Sequence, residues 1–184
     1  MVICIPSGVT EVEKRAVIDS AEHAGAKEVF LIHEPMAAAI GIGIDVLEPN
    51  GNMVIDIGGG TTEIAVISLG GIVTEKSIRI AGDEFTDNIK NYMKTRHNIA
   101  IGDTTAERVK INVGSALTEL DEPPANYPVH GRDLMTGIPK EIVVTYKEIA
   151  AAMNNSIEQI EEAIMSALFK TPPELSADIY NTGL

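Results

Sequence analysis

Residues 56 to 62 read DIGGGTT, which places a carboxylate, three successive glycines and two hydroxyls within one short stretch. Those groups suit a phosphate. Glycines let consecutive backbone N–H groups turn toward one anion, hydroxyls add donors, and a carboxylate can hold a hydrated Mg²⁺. The flanks decide which device this is. The P-loop and the dinucleotide fingerprint both run strand, glycines, helix. Here TEIAVIS after the glycines is β-branched and alternating, as a strand is, and NMVID before them is strand-like too. The glycines Gly58, Gly59 and Gly60 therefore sit at a hairpin tip, with Asp56 before it and Thr61 and Thr62 after it. A glycine-rich turn without a ligand is the plain alternative, and the flanking Asp56 and threonines favour phosphate over it.

Two other groups could take part. Glu34, in LIHEPMAAAIG, ends a strand-like run beside a proline, where a carboxylate can orient or deprotonate water. From the residues alone, an exposed glutamate at a strand end is the simpler reading. Glu107 and Lys110, in TTAERVK, lie one helical turn apart and could bind ribose hydroxyls. Taken alone they read first as a solvated ion pair. The histidines at 23, 33, 97 and 130 show no ligand-like spacing with one another or with Cys4, so no zinc site is expected.

The elements that must position these residues follow from periodicity. VICIPS is a strand. The helix after it has Thr10 and Glu13 spaced for a capping box and Gly25 as its stop. KEVFLIHEP is a second strand ended by Pro35, and MAAAIGIGI a small-residue helix. Residues 1–44 thus form a β-α-β-α pattern of parallel type. Three strands follow at 53–57, 63–69 and 72–80, with Gly70-Gly71 as a tight hairpin. A helix spans 84–97, carrying Phe85, Ile89, Tyr92 and Met93 on one face. Another starts near Thr104, with Glu107 as its capping-box partner and Val109, Val113, Ala116 and Leu117 on its apolar side. Residues 118–140 read as a loop-and-short-strand excursion. EIVVT is a strand. Thr145 and Glu148 open a long helix to about residue 170, with a stripe of Ile149, Met153, Ile157, Ile160, Ile164 and Leu168. TPPELSADI begins a last helix.

Composition sets the outer bounds. Hydrophobic residues make up 45% and aromatics only 4%, so the core is aliphatic. A formal net charge of −13 argues against a nucleic-acid partner and against an anionic membrane surface. One cysteine excludes an internal disulfide, and no apolar run is long enough to span a bilayer. A cytoplasmic protein is expected.

Taken together, DIGGGTTEIAVIS resembles the second phosphate loop of the actin-like ATPase superfamily, which also contains sugar kinases and heat-shock chaperones. EVFLIHEPMAAAIG, SIRIAGDEF, TAERVKINVGSA, GRDLMTGIPK and TPPELSADI narrow the likeness to the MreB family of bacterial actins, along the whole chain. The resemblance implies an α/β fold of the ribonuclease H-like, actin-like kind. Residues 1–46 are then the end of the first domain, 47–100 and 145–184 the core of the second, and 101–144 a small inserted subdomain. It implies ATP and Mg²⁺ as ligands. Asp56 would act on Mg²⁺ through its waters, and Gly58, Gly59, Gly60, Thr61 and Thr62 would hold the phosphates. Thr61 and Glu34 would place the attacking water. Glu107 and Lys110 would lie by the ribose and base, and Gly82 and Asp83 near the nucleotide.

The implied activity is ATP binding and slow hydrolysis, coupled to assembly into filaments that direct rod shape and cell-wall synthesis. The implied partners are copies of itself and membrane-embedded shape-determining proteins, at the inner face of the membrane. The chain departs from the family at His33, where an acidic residue is usual; alternation points His33 away from Glu34. It also reads as a middle fragment without the first phosphate hairpin and the adenosine-binding glycines. The fragment alone is therefore expected to bind nucleotide weakly and to turn none over. Any membrane contact would come from segments outside it, and a non-catalytic assembly module is the rival reading.

Overall fold

A computed structural model describes residues 1–183. The chain divides into two compact units, one formed by Met1–Arg79 with Glu161–Leu184 and the other by Ile80–Ile160.

The first unit opens with β1 (Val2–Ile5), α1 (Glu11–His23), β2 (Phe30–His33) and α2 (Glu34–Gly41). The capping box of α1 forms as expected: the Thr10 hydroxyl accepts from the Glu13 amide, and the Glu13 carboxylate accepts from the Thr10 amide at 2.8 Å. Gly25 carries the chain away with φ +99°. β1 and β2 pair in parallel, with Ile5 opposite His33. One local expectation is corrected. Glu34 does not end the strand; it is the first residue of α2, with Pro35 in that helix's first turn, where a missing N–H costs nothing.

β3 (Asn52–Ile57), β4 (Thr62–Ser68) and β5 (Gly71–Ile78) form an antiparallel sheet in that order. β4 is central and buried at every position, so its alternating sequence does not mark a wet face. Met53, Ile64 and Val66 pack against Ala163, Ala167 and Ile179, while Val54, Ala65 and Ile67 pack against Ala39. These residues supply the aliphatic core of the unit. α6 (Pro173–Thr182) is fastened to the start of β3: the Gly51 amide donates to Asp178 Oδ2 at 2.8 Å, and a Cβ at Gly51 would sit 2.7 Å from the Leu175 carbonyl oxygen.

The β4–β5 connection is a two-residue turn at Leu69-Gly70, one position earlier than the expected Gly70-Gly71, because Ser68 pairs with Gly71. Both central residues have positive φ, 51° and 72°. That is the geometry for which Asn-Gly is preferred. Leu69 is 71% exposed, so it pays the left-handed cost without core packing in return. Leu69→Asn is expected to stabilise the chain by about 1 kcal/mol, read as a raised urea midpoint at constant m.

The second unit holds α3 (Gly82–His97), β6 (Ile99–Ala100), α4 (Asp103–Val113), β7 (Tyr127–Asp133) and β8 (Pro139–Val144). Its core joins Ile89 and Met93 of α3, Val109 and Val113 of α4, Val129, Val144 and Ile149. Asn98, in the left-handed region at φ 53°, ends α3 and lets β6 begin at once. Residues 118–140 are more regular than their composition suggests, for β6, β7 and β8 make an antiparallel sheet. Asp133 closes the β7–β8 turn. The Thr136 and Met135 amides, with Lys140, hold its carboxyl down to about 2. Two expectations fail at α4. Its N-cap is Gly102 and the Thr104–Glu107 capping box does not form. The helix also stops at Val113, after which Gly114 turns extended at φ −67° and ψ 138°, so Ala116 and Leu117 lie beyond it.

α5 (Tyr146–Lys170) contributes its first part to the second unit and its last part to the first. Its box at Thr145 and Glu148 forms as read. Among the described residues no helix is long and apolar enough to cross a membrane.

Candidate functional site

In the first unit, β3 and β4 are in register from Asn52↔Ile67 to Ile57↔Thr62. Residues 58–61 are left as the hairpin tip, where the sequence placed them. The Gly58 amide donates to the Thr61 carbonyl at 2.9 Å and closes the tip. Among the described residues, the amides of Gly59, Gly60 and Thr61 make no hydrogen bond, and Gly58, Gly59 and Gly60 are exposed. Gly60 lies outside the left-handed region, and a Cβ built on it would meet nothing within 4 Å. Neither backbone conformation nor internal packing requires glycine there. What the missing side chain leaves is clear approach to three unengaged donors.

Three carboxylates gather at the base of this hairpin. Asp56 and Glu63 are cross-strand partners, so they lie on one face of the sheet. Burial pushes the Glu34 carboxyl above its ordinary value, and the charges of Glu63 and Asp56 push it further. The structure thus brings Glu34 and Asp56 within electrostatic reach of each other and adds Glu63, which sequence reasoning missed. The signal was present: a charged residue in a strand otherwise apolar at its inward positions. The donors near the tip are all oxygens, which suits a Mg²⁺ that keeps its waters. Among the described residues no group of three or more His, Cys, Asp or Glu is arranged to hold a metal directly.

In the second unit, Glu107 and Lys110 are paired at 2.7 Å, as their spacing suggested. They belong to a network rather than to bulk solvent. Thr86 Oγ lies 2.8 Å from Glu107 Oε2 and 3.0 Å from the Gly82 carbonyl, and Lys110 Nζ donates to that carbonyl at 2.9 Å. Lys110 and then Thr86 hold the Glu107 carboxyl below its ordinary value. The capping box is missing because α4 begins at Asp103 after its N-cap Gly102, which puts Thr104 inside the helix. Asp83, Thr86, Asp103 and Glu107 line a cavity of about 450 Å³, within the size range of small-ligand sites. Gly82 and Asp83 open α3 beside it. Thr86, one turn after Gly82, went unread because its role depends on a helix twenty residues further on.

Comparison with known proteins agrees along the whole length. The family described as MreB/Mbl protein matches residues 1–184. The chain is 46% identical to the cell shape-determining protein Mbl of Bacillus subtilis, over all of this chain and 55% of that one. It is 47% identical to the cell shape-determining protein MreB of Escherichia coli, over all of this chain and 52% of that one. It thus spans about half the length of the curated relatives it matches. Among solved structures, MreB 5 of Spiroplasma citri bound to AMPPNP superposes with a TM-score of 0.94 at 41% identity, covering all of this chain and 54% of that one. The same protein bound to ADP gives the same score. A MamK double helical filament shares the fold, with a TM-score of 0.74 at 23% identity, over 96% of this chain and 51% of that one.

Proposed function

The chain belongs to the MreB/Mbl family and has its actin-like α/β fold, and from that premise we propose that the full-length protein binds and slowly hydrolyses ATP and assembles into filaments that direct cell shape. The observation that carries the reading is the hairpin tip, with three free amides and an unobstructed Gly60. The MreB structures bound to AMPPNP and ADP support it by likeness.

In this reading the amides of Gly59, Gly60 and Thr61 bind the β- and γ-phosphates, with the Thr61 and Thr62 hydroxyls beside them. Asp56 would hold Mg²⁺ through its waters, and the ion would neutralise phosphate charge. Glu34, ionised, orients the attacking water and accepts its proton, and Thr61 helps place that water. In the second unit, Glu107 and Lys110 exchange part of their mutual pairing for ribose hydroxyls, with Gly82 and Asp83 beside them. Residues 1–46 are assigned to the end of the first actin-like domain, 47–100 with 145–184 to the second, and 101–144 to its inserted subdomain. A bound γ-phosphate favours the polymer and its loss alters subunit contacts. The partners are further copies of the protein and membrane-embedded shape-determining proteins, at the cytoplasmic face of the membrane.

Gly60→Ala tests the tip. It removes unfolded-state freedom at a position with room for the methyl group, so the melting temperature should stay level or rise, by the equivalent of about 0.5 kcal/mol. Titration calorimetry of the full-length variant with Mg-ATP should show affinity weakened about tenfold, roughly 1.4 kcal/mol. Unchanged affinity would mean that no phosphate approaches Gly60, leaving an assembly module.

A further inference from the structure

Glu63 is buried, 1% exposed, in the middle strand of the first unit's sheet, a costly place for a charge unless it is paired and put to use. It is bonded from two separate segments. Ser77 Oγ donates to Oε1 at 2.6 Å from the neighbouring position on β5. The Ser7 amide donates to Oε2 at 3.3 Å from the loop that leaves β1. No cation is paired with it among the described ion pairs.

The place of Ser7 gives the arrangement its meaning. β1 and β2 run in parallel with Ile5 opposite His33, so the chain leaving β1 toward Ser7 lies alongside the chain leaving β2 at Glu34. Glu63 therefore ties the strand end beside Glu34 to the strand that carries Thr62 and the hairpin tip. On its other side it faces Asp56 in register. Like charges directly opposite one another cost stability in a sheet. A purely structural site would hold a neutral residue there.

We infer that Glu63 is a positioning residue for Glu34: clamped by Ser77 and the Ser7 amide, it fixes the end of β1 beside Glu34 and places its own carboxyl group near that one. The inference rests on the reading of Glu34 as the group that takes a proton from water. The charges that act on Glu34 are those of Glu63 on β4 and then Asp56 on β3. A negative neighbour keeps the Glu34 carboxyl a stronger base. Glu63→Gln removes the charge and keeps both bonds, its oxygen accepting from the Ser7 amide and its N–H₂ donating to Ser77 Oγ.

The test is phosphate release by the full-length protein as a function of pH, beside Mg-ATP affinity by calorimetry. Glu63→Gln should lower kcat about tenfold and move the acid limb of the profile down by about half a pH unit, with Mg-ATP affinity within about threefold of wild type. Ser77→Ala keeps the charge and loosens the clamp. It should lower kcat severalfold with the acid limb in place, and it carries the test should Glu63→Gln not fold. An acid limb unmoved in folded Glu63→Gln overturns the inference while leaving ATP hydrolysis intact, as does a wild-type kcat in Ser77→Ala. A wild-type protein that binds Mg-ATP but releases no phosphate at any pH overturns the hydrolytic reading, and this inference with it.

Discussion

Replacing Glu34 with Ala in the full-length protein should slow ATP hydrolysis by about a hundredfold or more while leaving Mg-ATP affinity within about threefold. Glu34 opens α2 immediately after β2, with Asp56 and Glu63 as its charged neighbours. It makes no hydrogen bond to the tip amides. An interaction used only when water attacks leaves ground-state binding unchanged when it is removed. Equal losses in turnover and affinity would instead mean that Glu34 shapes the pocket and moves no proton.

The same residue carries a stability signature. Its carboxyl is raised in the folded chain, so the folded state holds the Glu34 proton to a higher pH than the unfolded state does. The contribution of Glu34 is therefore most favourable below the unfolded value and is lost as pH rises through the folded one. Glu34→Gln removes that loss. At neutral pH the variant should melt above wild type, and the gain should vanish in acid below the ordinary glutamate range. A variant both slower and more stable is what a functional carboxylate among like charges produces. A Glu34→Gln that melts below wild type at pH 7 would show that the ionised group is stabilising and that the neighbouring charges do not act on it.

Gly131→Ala should cost about 3 kcal/mol. The glycine sits within β7, and a Cβ built there would lie 2.5 Å from the Ala100 carbonyl oxygen and 2.7 and 2.9 Å from the side chains of Ile99 and Ile101. Ile99 is fully buried in the core of the second unit and cannot yield. β6 would have to move from β7, breaking the pairing of Ala100 with Arg132. Gly102→Ala is the control, since its Cβ meets nothing within 4 Å and its backbone is extended. Urea unfolding followed by circular dichroism separates the two. A midpoint for Gly131→Ala equal to the control would mean that β6 is not held where the structure puts it.

Both residues bear on how far the sequence could be read. Glu34 read as the end of a strand and stands at the start of a helix, whereas the hairpin tip was legible because its signal is local, glycines between β-branched runs. The capping boxes at Thr10 and Thr145 were legible for the same reason, since each closes over three residues. The box at Thr104 has the same spacing and does not form, because α4 starts one residue earlier at Asp103 and Thr104 lies inside it. The spacing alone does not fix where the helix begins. Gly131 reads as a loop residue in a stretch rich in glycine and proline, and only the crossing of β6 shows why no side chain fits. Glu63 is the plainest case. Its meaning comes from Ser7, a sequence separation of 56, and from the opposite register of Asp56. Pairings across that distance leave no periodicity in the string.

The bond from the Gly51 amide to Asp178 joins residues 127 apart in sequence. The hairpin that follows Gly51 leaves the ribosome well ahead of the helix that pins its base. Much of the apolar face of β3 and β4 waits for Ala163 and Ala167 of α5 and Ile179 of α6. Closing so long a loop comes late in folding. A nascent chain therefore displays its glycine tip well before the strand beneath it is braced.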